Sequence, residues 1–384
     1  MTGLWDRFGR KISYLRVSVT DKCNLRCVYC MPEEGVRTRS HDEILRLEEI
    51  ARVVRVATDL GIERVRITGG EPLVRKGLVD LVRMIASIPG VRDLSMTTNA
   101  TLLARCARNL AGAGLRRVNI SLDTLKPDVY SRITRRGDIR AALEGIAAAE
   151  AAGLRPIRLN AVVVRGVNDG EIEDLARLTL EHAWDVRFIE FMPFWGNGGG
   201  FGPSHVVPIE EIRERVRALG ARPVACLTPG PAGAGSRSGM EAAGAAEGAA
   251  GSGSEMAMGA DTGAALETEA ETEAGARQCP GGAGPATYLQ LPGAMGRVGF
   301  ISREGDGFCV RCNRLRLTAD GKLLPCLLSG LAVDLRDPLR GGADDGTIAG
   351  LIREAVSLKP ESGVGCAGSG GASRTAPPLS DIGG

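Results

Sequence analysis

Cys23, Cys27 and Cys30 are spaced C-x3-C-x2-C in the run Asp21-Lys22-Cys23-Asn24-Leu25-Arg26-Cys27-Val28-Tyr29-Cys30. A cubane iron-sulfur cluster has four irons, so three close thiolates hold three of them and leave the fourth open to a small-molecule ligand. A closed structural zinc site would bring four ligands, and neither Asn24 nor Tyr29 is a good fourth. On spacing alone, a zinc loop completed by a distant residue is the competing reading. A second trio, Cys309, Cys312 and Cys326, is spaced C-x2-C-x13-C with Arg314 and Arg316 between its members. An open iron there would be a docking point, and alternating arginines suit phosphate oxygens through paired donors. A zinc knuckle is the alternative for this trio.

A frame has to hold these loops. From residue 13 to about 219 the chain alternates short β-branched runs with longer amphipathic ones, the pattern of βα units around a parallel sheet. The pattern predicts strands at 14–19, 64–68, 94–98, 117–122, 157–164 and 186–192. Helices are predicted at 44–60, 76–87, 102–113, 139–152 and 171–181, with Gly61, Gly114 and Gly153 suited to left-handed C-caps. Six units are fewer than the eight of a closed barrel, and ligand residues should lie at the carboxyl ends of the strands. The first cysteine loop follows the first strand. Gly69-Gly70-Glu71-Pro72 follows the second, where glycines permit close backbone approach and Glu71 can accept from an ammonium group. Thr97-Thr98-Asn99, Ser121-Leu122-Asp123 and Met192 follow the third, fourth and sixth. Each is weak alone, because strand-end hydroxyls are usually satisfied locally; their weight comes from sharing one face.

The 384 residues are 43% hydrophobic and 24% charged with a net charge of +2, enough for one large core or two smaller ones. No run is apolar enough to span a bilayer, and residues 1–7 lack a basic region followed by an apolar stretch, so a cytoplasmic location is expected. Six of the ten cysteines fall in the two trios, the arithmetic of metal ligation in a reducing compartment. Cys106, Cys226, Cys279 and Cys366 read as incidental thiols. His41, His182 and His205 are the only histidines and sit in no motif, which leaves little material for imidazole catalysis. No basic run is interleaved with aromatics, so nucleic acid is not an expected partner. Residues 229–286 are rich in Gly, Ala, Ser and Glu and hold eight acidic residues against two basic ones. Such a stretch predicts a disordered insertion and leaves the remainder of the chain positive, which suits an anionic substrate.

The first trio resembles the signature of the radical S-adenosylmethionine (SAM) enzymes, in which Tyr29 would pack against the adenine. The resemblance implies a partial (βα)6 TIM-like barrel. The run Cys309-Val310-Arg311-Cys312-Asn313-Arg314-Leu315-Arg316-Leu317-Thr318-Ala319-Asp320-Gly321-Lys322, with Cys326-Leu327 and the terminal Ser380-Asp381-Ile382-Gly383-Gly384, resembles the GTP 3',8-cyclase family of molybdenum cofactor biosynthesis. Similarity covers about residues 4–228 and 286–360 and the last few residues. It implies a cyclisation of GTP by an enzyme with two 4Fe-4S clusters and SAM. Carried over by position, Cys23, Cys27 and Cys30 hold the first cluster and Tyr29, Gly70, Glu71, Ser121 and Met192 contact SAM. Arg16, Arg66, Thr97, Arg158 and the Arg314-Leu315-Arg316 run contact GTP. Cys309, Cys312 and Cys326 hold the second cluster, and Gly383 and Gly384 reach into the active site and, with Arg314 and Arg316, serve catalysis.

The resemblance implies residues 1–228 as the barrel, 229–286 as an insertion, 287–360 as the second-cluster region and 361–384 as a flexible tail. Arg158 stands where the family usually has lysine, and the tail from Pro360 lacks the family's basic and methionine residues. The implied partners are a low-potential electron donor of flavodoxin or ferredoxin type and, through the product, cyclic pyranopterin monophosphate synthase. A homodimer is one assembly open to the chain. A radical SAM peptide maturase with an auxiliary cluster is the alternative function, which the Arg-Leu-Arg run and terminal glycines disfavour.

Overall fold

The computed structural model describes residues 3–35, 39–193, 201–224, 286–302 and 309–362. The insertion expected at 229–286, all but its last residue, and Gly383 and Gly384 lie outside the described residues. Twelve strands are found among those described: β1 Tyr14–Ser18, β2 Arg64–Thr68, β3 Asp93–Thr98, β4 Arg117–Ser121, β5 Arg158–Val163, β6 Asp185–Glu190, β7 Arg222–Pro223, β8 Thr287–Gln290, β9 Arg297–Ile301, β10 Arg314–Leu317, β11 Lys322–Leu324 and β12 Val333–Asp334. They form one sheet in the order β12-β11-β10-β1-β2-β3-β4-β5-β6-β9-β8-β7.

The six expected strands are all present, each end within two residues of its predicted place. Two more parallel strands come from the C-terminal part of the chain: β10 beside β1 and β9 beside β6. The parallel core therefore has eight members, and antiparallel β11–β12 and β8–β7 extend its two edges. Since β12 and β7 end the order unpaired with each other, the sheet is not closed.

Helices α1 Leu47–Asp59, α2 Leu78–Ala86, α3 Ala107–Gly112, α4 Pro127–Thr134, α5 Ile139–Ala151, α6 Ile172–Glu181, α7 Ile209–Ala218, α8 Arg336–Arg340 and α9 Asp345–Ser357 complete the fold. The helix expected at 44–60 begins only at Leu47, where the Glu49 carboxylate accepts the Arg46 N–H at 2.7 Å. The one expected at 102–113 divides into a 3-10 turn and α3, because Cys106 sits at φ −135°, outside the helical region. Helix α4 was not anticipated, although Pro127 at its first turn is a recognisable start. No helix among the described residues is long and apolar enough to cross a membrane.

Strand alternation separates two environments. Leu15, Val17, Val65, Ile67, Leu94, Met96, Val118, Ile120, Leu159, Val186 and Phe188 enter the hydrophobic core with the helices. Their in-between neighbours, Arg16, Arg66, Ser95, Thr97, Arg117, Asn119, Arg158, Asn160 and Arg187, point to the other face. Burying one Leu or Ile is worth about 1.5–3 kcal/mol. A one-residue slip would exchange the two sets, so the register is strongly determined.

Candidate active site

Beyond β1 the chain turns through Thr20 and Lys22 before reaching Cys23. The glycine pair after β2 packs on that turn: Gly70 N–H donates to Thr20 O and Glu71 N–H to Lys22 O, both at 2.9 Å. A Cβ on Gly70 would stand 2.4 Å from Lys22 O and 2.9 Å from Asp21 O. Glycine is needed here for two backbones to touch. Gly70→Ala is therefore expected to displace the root of the cysteine loop and cost the reconstituted protein about half its iron, with the second trio still loaded; full iron content would refute it.

Three bonds occupy the Glu71 carboxylate, from Leu73 N–H at 3.1 Å, Thr98 Oγ1 at 2.7 Å and Asn99 N–H at 2.7 Å. Burial nonetheless pushes it up to about 7. Asn99 Nδ2 donates to Asn24 Oδ1 at 2.9 Å, and Asn24 Nδ2 donates to Thr101 Oγ1 at 2.8 Å, hooking the cysteine loop to the end of β3. On the other side Tyr29 OH donates to Asp123 Oδ2 at 2.6 Å, and Val162 N–H donates to Asp123 Oδ1 at 2.8 Å. Burial raises Asp123 to about 6. Both carboxyls thus hold protons in the folded chain that the unfolded chain releases between about pH 4 and pH 7, so these groups make metal-free protein less stable as pH rises through that window. Asp123→Asn should flatten part of the decline in denaturant midpoint; an unchanged slope would count against it.

Cys23, Cys27 and Cys30 line a cavity of about 1150 Å³, open mouth included, with Tyr29, Gly70, Glu71, Thr97, Ser121, Asn160 and Met192. Thr97 Oγ1 and Asn160 Oδ1 are buried without a hydrogen-bond partner, places where a bound molecule would satisfy the wall. Burial, and then neighbouring negative groups, push the Cys27 thiol well up and Cys30 up to about 12. Thiols crowded this way give up protons only when a cation joins them, which fits a cluster site. Among the described residues no three Cys, His, Asp or Glu side chains are arranged to hold a single metal ion. Sulfurs around a four-iron cube stand wider apart than the roughly 4 Å of a zinc tetrahedron.

The second trio opens on a cavity of about 800 Å³ with Arg314, Arg316, Lys359 and Arg10 in its wall. Ile189, Glu190 and Met192, at and just beyond the end of β6, line both cavities, which therefore adjoin. The electrostatics differ from the first trio. Burial would push Cys312 up, but the charges of Arg314 and Lys359 bring it down to about 7. Arg10 ties this region together. Its guanidinium donates to Cys309 O at 2.6 Å, Pro360 O at 2.6 Å, Glu361 O at 3.0 Å and the Asp6 carboxylate at 2.6 Å.

Below the cavities lies a layer of arginines. Arg316, Arg16 and Arg66 stand side by side on β10, β1 and β2, and Arg187 pairs in register with Asn160. Asp93 holds Arg117 at 2.9 and 2.5 Å, and Asp185 is shared by Arg158 at 3.3 Å and Arg297 at 3.0 Å. No carboxylate among the described residues pairs with Arg66 or Arg187, and Arg187 Nε is buried without a hydrogen bond. Burial, with like charges nearby, pulls Arg16 and Arg66 down to about 9 and Arg316 to about 10. Buried positive charge concentrated in this way is the electrostatic setting that an anionic ligand would relieve.

An open parallel barrel with a three-cysteine loop at the carboxyl end of its first strand defines a radical SAM-type protein, and residues 17–179 match the radical SAM superfamily. Residues 241–364 match the family described as Molybdenum Cofactor Synthesis C. The GTP 3',8-cyclase of Pelotomaculum thermopropionicum is 46% identical over 357 residues, 93% of this chain and 94% of its own. That of Moorella thermoacetica is 46% identical over 355 residues, covering 92% and 93%, and that of Thermodesulfovibrio yellowstonii is 41% identical over 382 residues, 99% of each. A crystal structure of Streptococcus suis SuiB bound to S-adenosylmethionine aligns with a TM-score of 0.47 and 18% identity, over 55% of this chain and 48% of that one. The chain belongs to the GTP 3',8-cyclase family of the radical SAM superfamily, which carries SAM and two 4Fe-4S clusters.

The Leu315 side chain is 1% exposed and sits in the hydrophobic core, because alternation along β10 sends it away from the cavity that Arg314 and Arg316 line, which leaves its backbone as the part on the ligand side. Sequence reasoning passed over Arg187 and Asn160, which strand alternation could have singled out as inward positions on β6 and β5. It also passed over Lys359 and Arg10, for which no local pattern gives a signal.

Proposed function

We propose that this chain converts GTP to (8S)-3',8-cyclo-7,8-dihydroguanosine 5'-triphosphate, the first step of molybdenum cofactor biosynthesis. The observation that carries the reading is the pair of adjoining cavities, each with a cysteine trio, above the buried arginine layer. With a 4Fe-4S cluster and SAM bound, the first cavity would gain a one-electron route to a carbon radical. The residues assigned to that cavity are Cys23, Cys27 and Cys30 for the cluster and Tyr29, Gly70, Glu71, Ser121 and Met192 for SAM.

Arg16, Arg66, Thr97, Arg158 and the Arg314-Leu315-Arg316 run would contact GTP, with Arg187 beside them in the arginine layer. Cys309, Cys312 and Cys326 would hold the second cluster and so the guanine end. Clamping both ends of one nucleotide is what brings ribose C3' to guanine C8, a gain in proximity. Arg158 keeps the charge of the family lysine, but its bond to Asp185 commits part of the guanidinium, so altered GTP affinity is expected rather than loss.

Residues 1–228 would act as the barrel, 229–286 as an insertion, 287–360 as the second-cluster region and 361–384 as the tail that brings Gly383 and Gly384 to the site. Deleting both glycines should abolish cyclisation yet spare cluster assembly; full activity of the truncated chain would refute this role. A low-potential flavodoxin or ferredoxin in the cytoplasm would donate the electron, and cyclic pyranopterin monophosphate synthase would take the product. The test is an oxygen-free assay with SAM, GTP and dithionite. It should yield 5'-deoxyadenosine and a nucleotide isomeric with GTP. Unaltered GTP, with SAM cleavage that depends on an added peptide, would favour the maturase reading.

A further inference from the structure

Lys359 follows α9 and is only 2% exposed. An ammonium group has three donors and no acceptor. Here Nζ donates to Arg314 O at 2.8 Å and to Pro325 O at 2.6 Å, and Cys312 and Cys326 line the same cavity wall. Among the described residues no carboxylate pairs with it. A buried cation without a counter-charge is costly, and the anionic forms of Cys312 and Cys326 in the same wall would offset it.

The two carbonyls sharpen the point. Arg314 lies two residues after Cys312 and Pro325 is the residue before Cys326. One ammonium thus fixes the backbone beside two ligands of the trio and brings its charge into the wall that holds their sulfurs. The first trio differs in balance: Arg26 donates to Cys23 O at 2.6 Å, but burial with Glu71 and Asp123 nearby outweighs its charge and raises all three thiols.

We propose that Lys359 is the positioning residue and built-in counter-cation of the second cysteine trio, and that it sets that cluster's reduction potential above the value its three thiolates alone would give. The inference rests on the second trio holding a 4Fe-4S cluster. A positive charge beside the cluster stabilises the reduced, more negative form.

The test uses Lys359→Met and Lys359→Arg in the full chain after anaerobic reconstitution, with iron and sulfide counts and an electron paramagnetic resonance titration in the absence of nucleotide. Wild-type protein should hold about eight irons. A wild-type count of about four would sink the two-cluster reading itself rather than this proposal. Lys359→Met is expected to load the second cluster with a potential lowered by a tenfold shift in the reduction equilibrium, about 59 mV for one electron, or to lose that cluster alone. The signal of the first cluster should not move. Lys359→Arg should keep the loading and most of the potential, since the charge remains. Wild-type loading and potential in Lys359→Met would overturn the proposal. If Lys359→Met fails to fold, Lys359→Arg decides: a potential within a few millivolts of wild type upholds it, and a tenfold shift overturns it.

Discussion

Cys312→Ser should leave SAM binding and the first cluster in place while nucleotide conversion falls at least about 100-fold, the cost of misplacing one reacting partner by an ångström or so. Serine is a poor iron ligand, and the charges of Arg314 and Lys359 bring Cys312 down to about 7. The first cavity has its own ligands and its own supports through Asn24, Asn99 and Asp123, and of its walls only Ile189, Glu190 and Met192 are shared. The expected signature is uncoupling: 5'-deoxyadenosine still forms, but cyclised nucleotide does not. Quantifying both products in single-turnover mixtures checks it. Near-wild-type cyclisation would mean that the second trio does not position the purine.

Arg66→Met should change stability and binding in opposite directions. Arg66 is buried among Arg16, Arg117 and Arg187, stacks at 5.4 Å on the Tyr14 ring and has only a 3.4 Å bond from its Nε to Ser95 Oγ. Its charge is held down to about 9 by burial. Removing one buried like charge relieves the apo protein, and a gain of 1 kcal/mol corresponds to a Tm rise of about 2–4 °C in a chain of this order of size. A charge-assisted hydrogen bond to a phosphate is worth about 1.5–3 kcal/mol, so GTP affinity should drop roughly 10- to 150-fold. Calorimetric unfolding and GTP titration of the same preparation test both halves. A destabilised variant with unchanged affinity would show that Arg66 is a structural cation.

How much was legible varied from element to element. The six strands between 14 and 192 were readable because β-branched runs of five or six residues alternate with amphipathic helices, a local signal. The cysteine trios were readable because ligand spacing is covalent. β9 and β10 were not, since short strands of four or five residues lack the βα rhythm and acquire their partners, β6 and β1, from far along the chain. The burial of the Leu315 side chain was hidden for the same reason: a run of three residues reads as a unit in sequence but divides between two faces once it is a strand.

Gly70 and Lys359 mark the boundary most clearly. The glycine pair could be seen to need close approach, yet only the fold shows that Lys22 O is what approaches. Lys359 in Ser357-Leu358-Lys359-Pro360 looks like any helix-end lysine, and its burial against Arg314 O and Pro325 O depends on three separate segments meeting.

By itself the order of residues determined that the chain carries two three-thiolate loops, since ligand number and spacing are set before folding, and it carries the family resemblance that implies the clusters and SAM. It also determined the six βα units, since hydrophobic periodicity is local. Only the tertiary structure decided that the two trios open on adjoining cavities, that arginines from different strands stack into one buried cationic layer, and that two C-terminal strands flank the sheet. Those are relations between residues up to 300 positions apart, created by strand pairing and burial, and no local pattern encodes them.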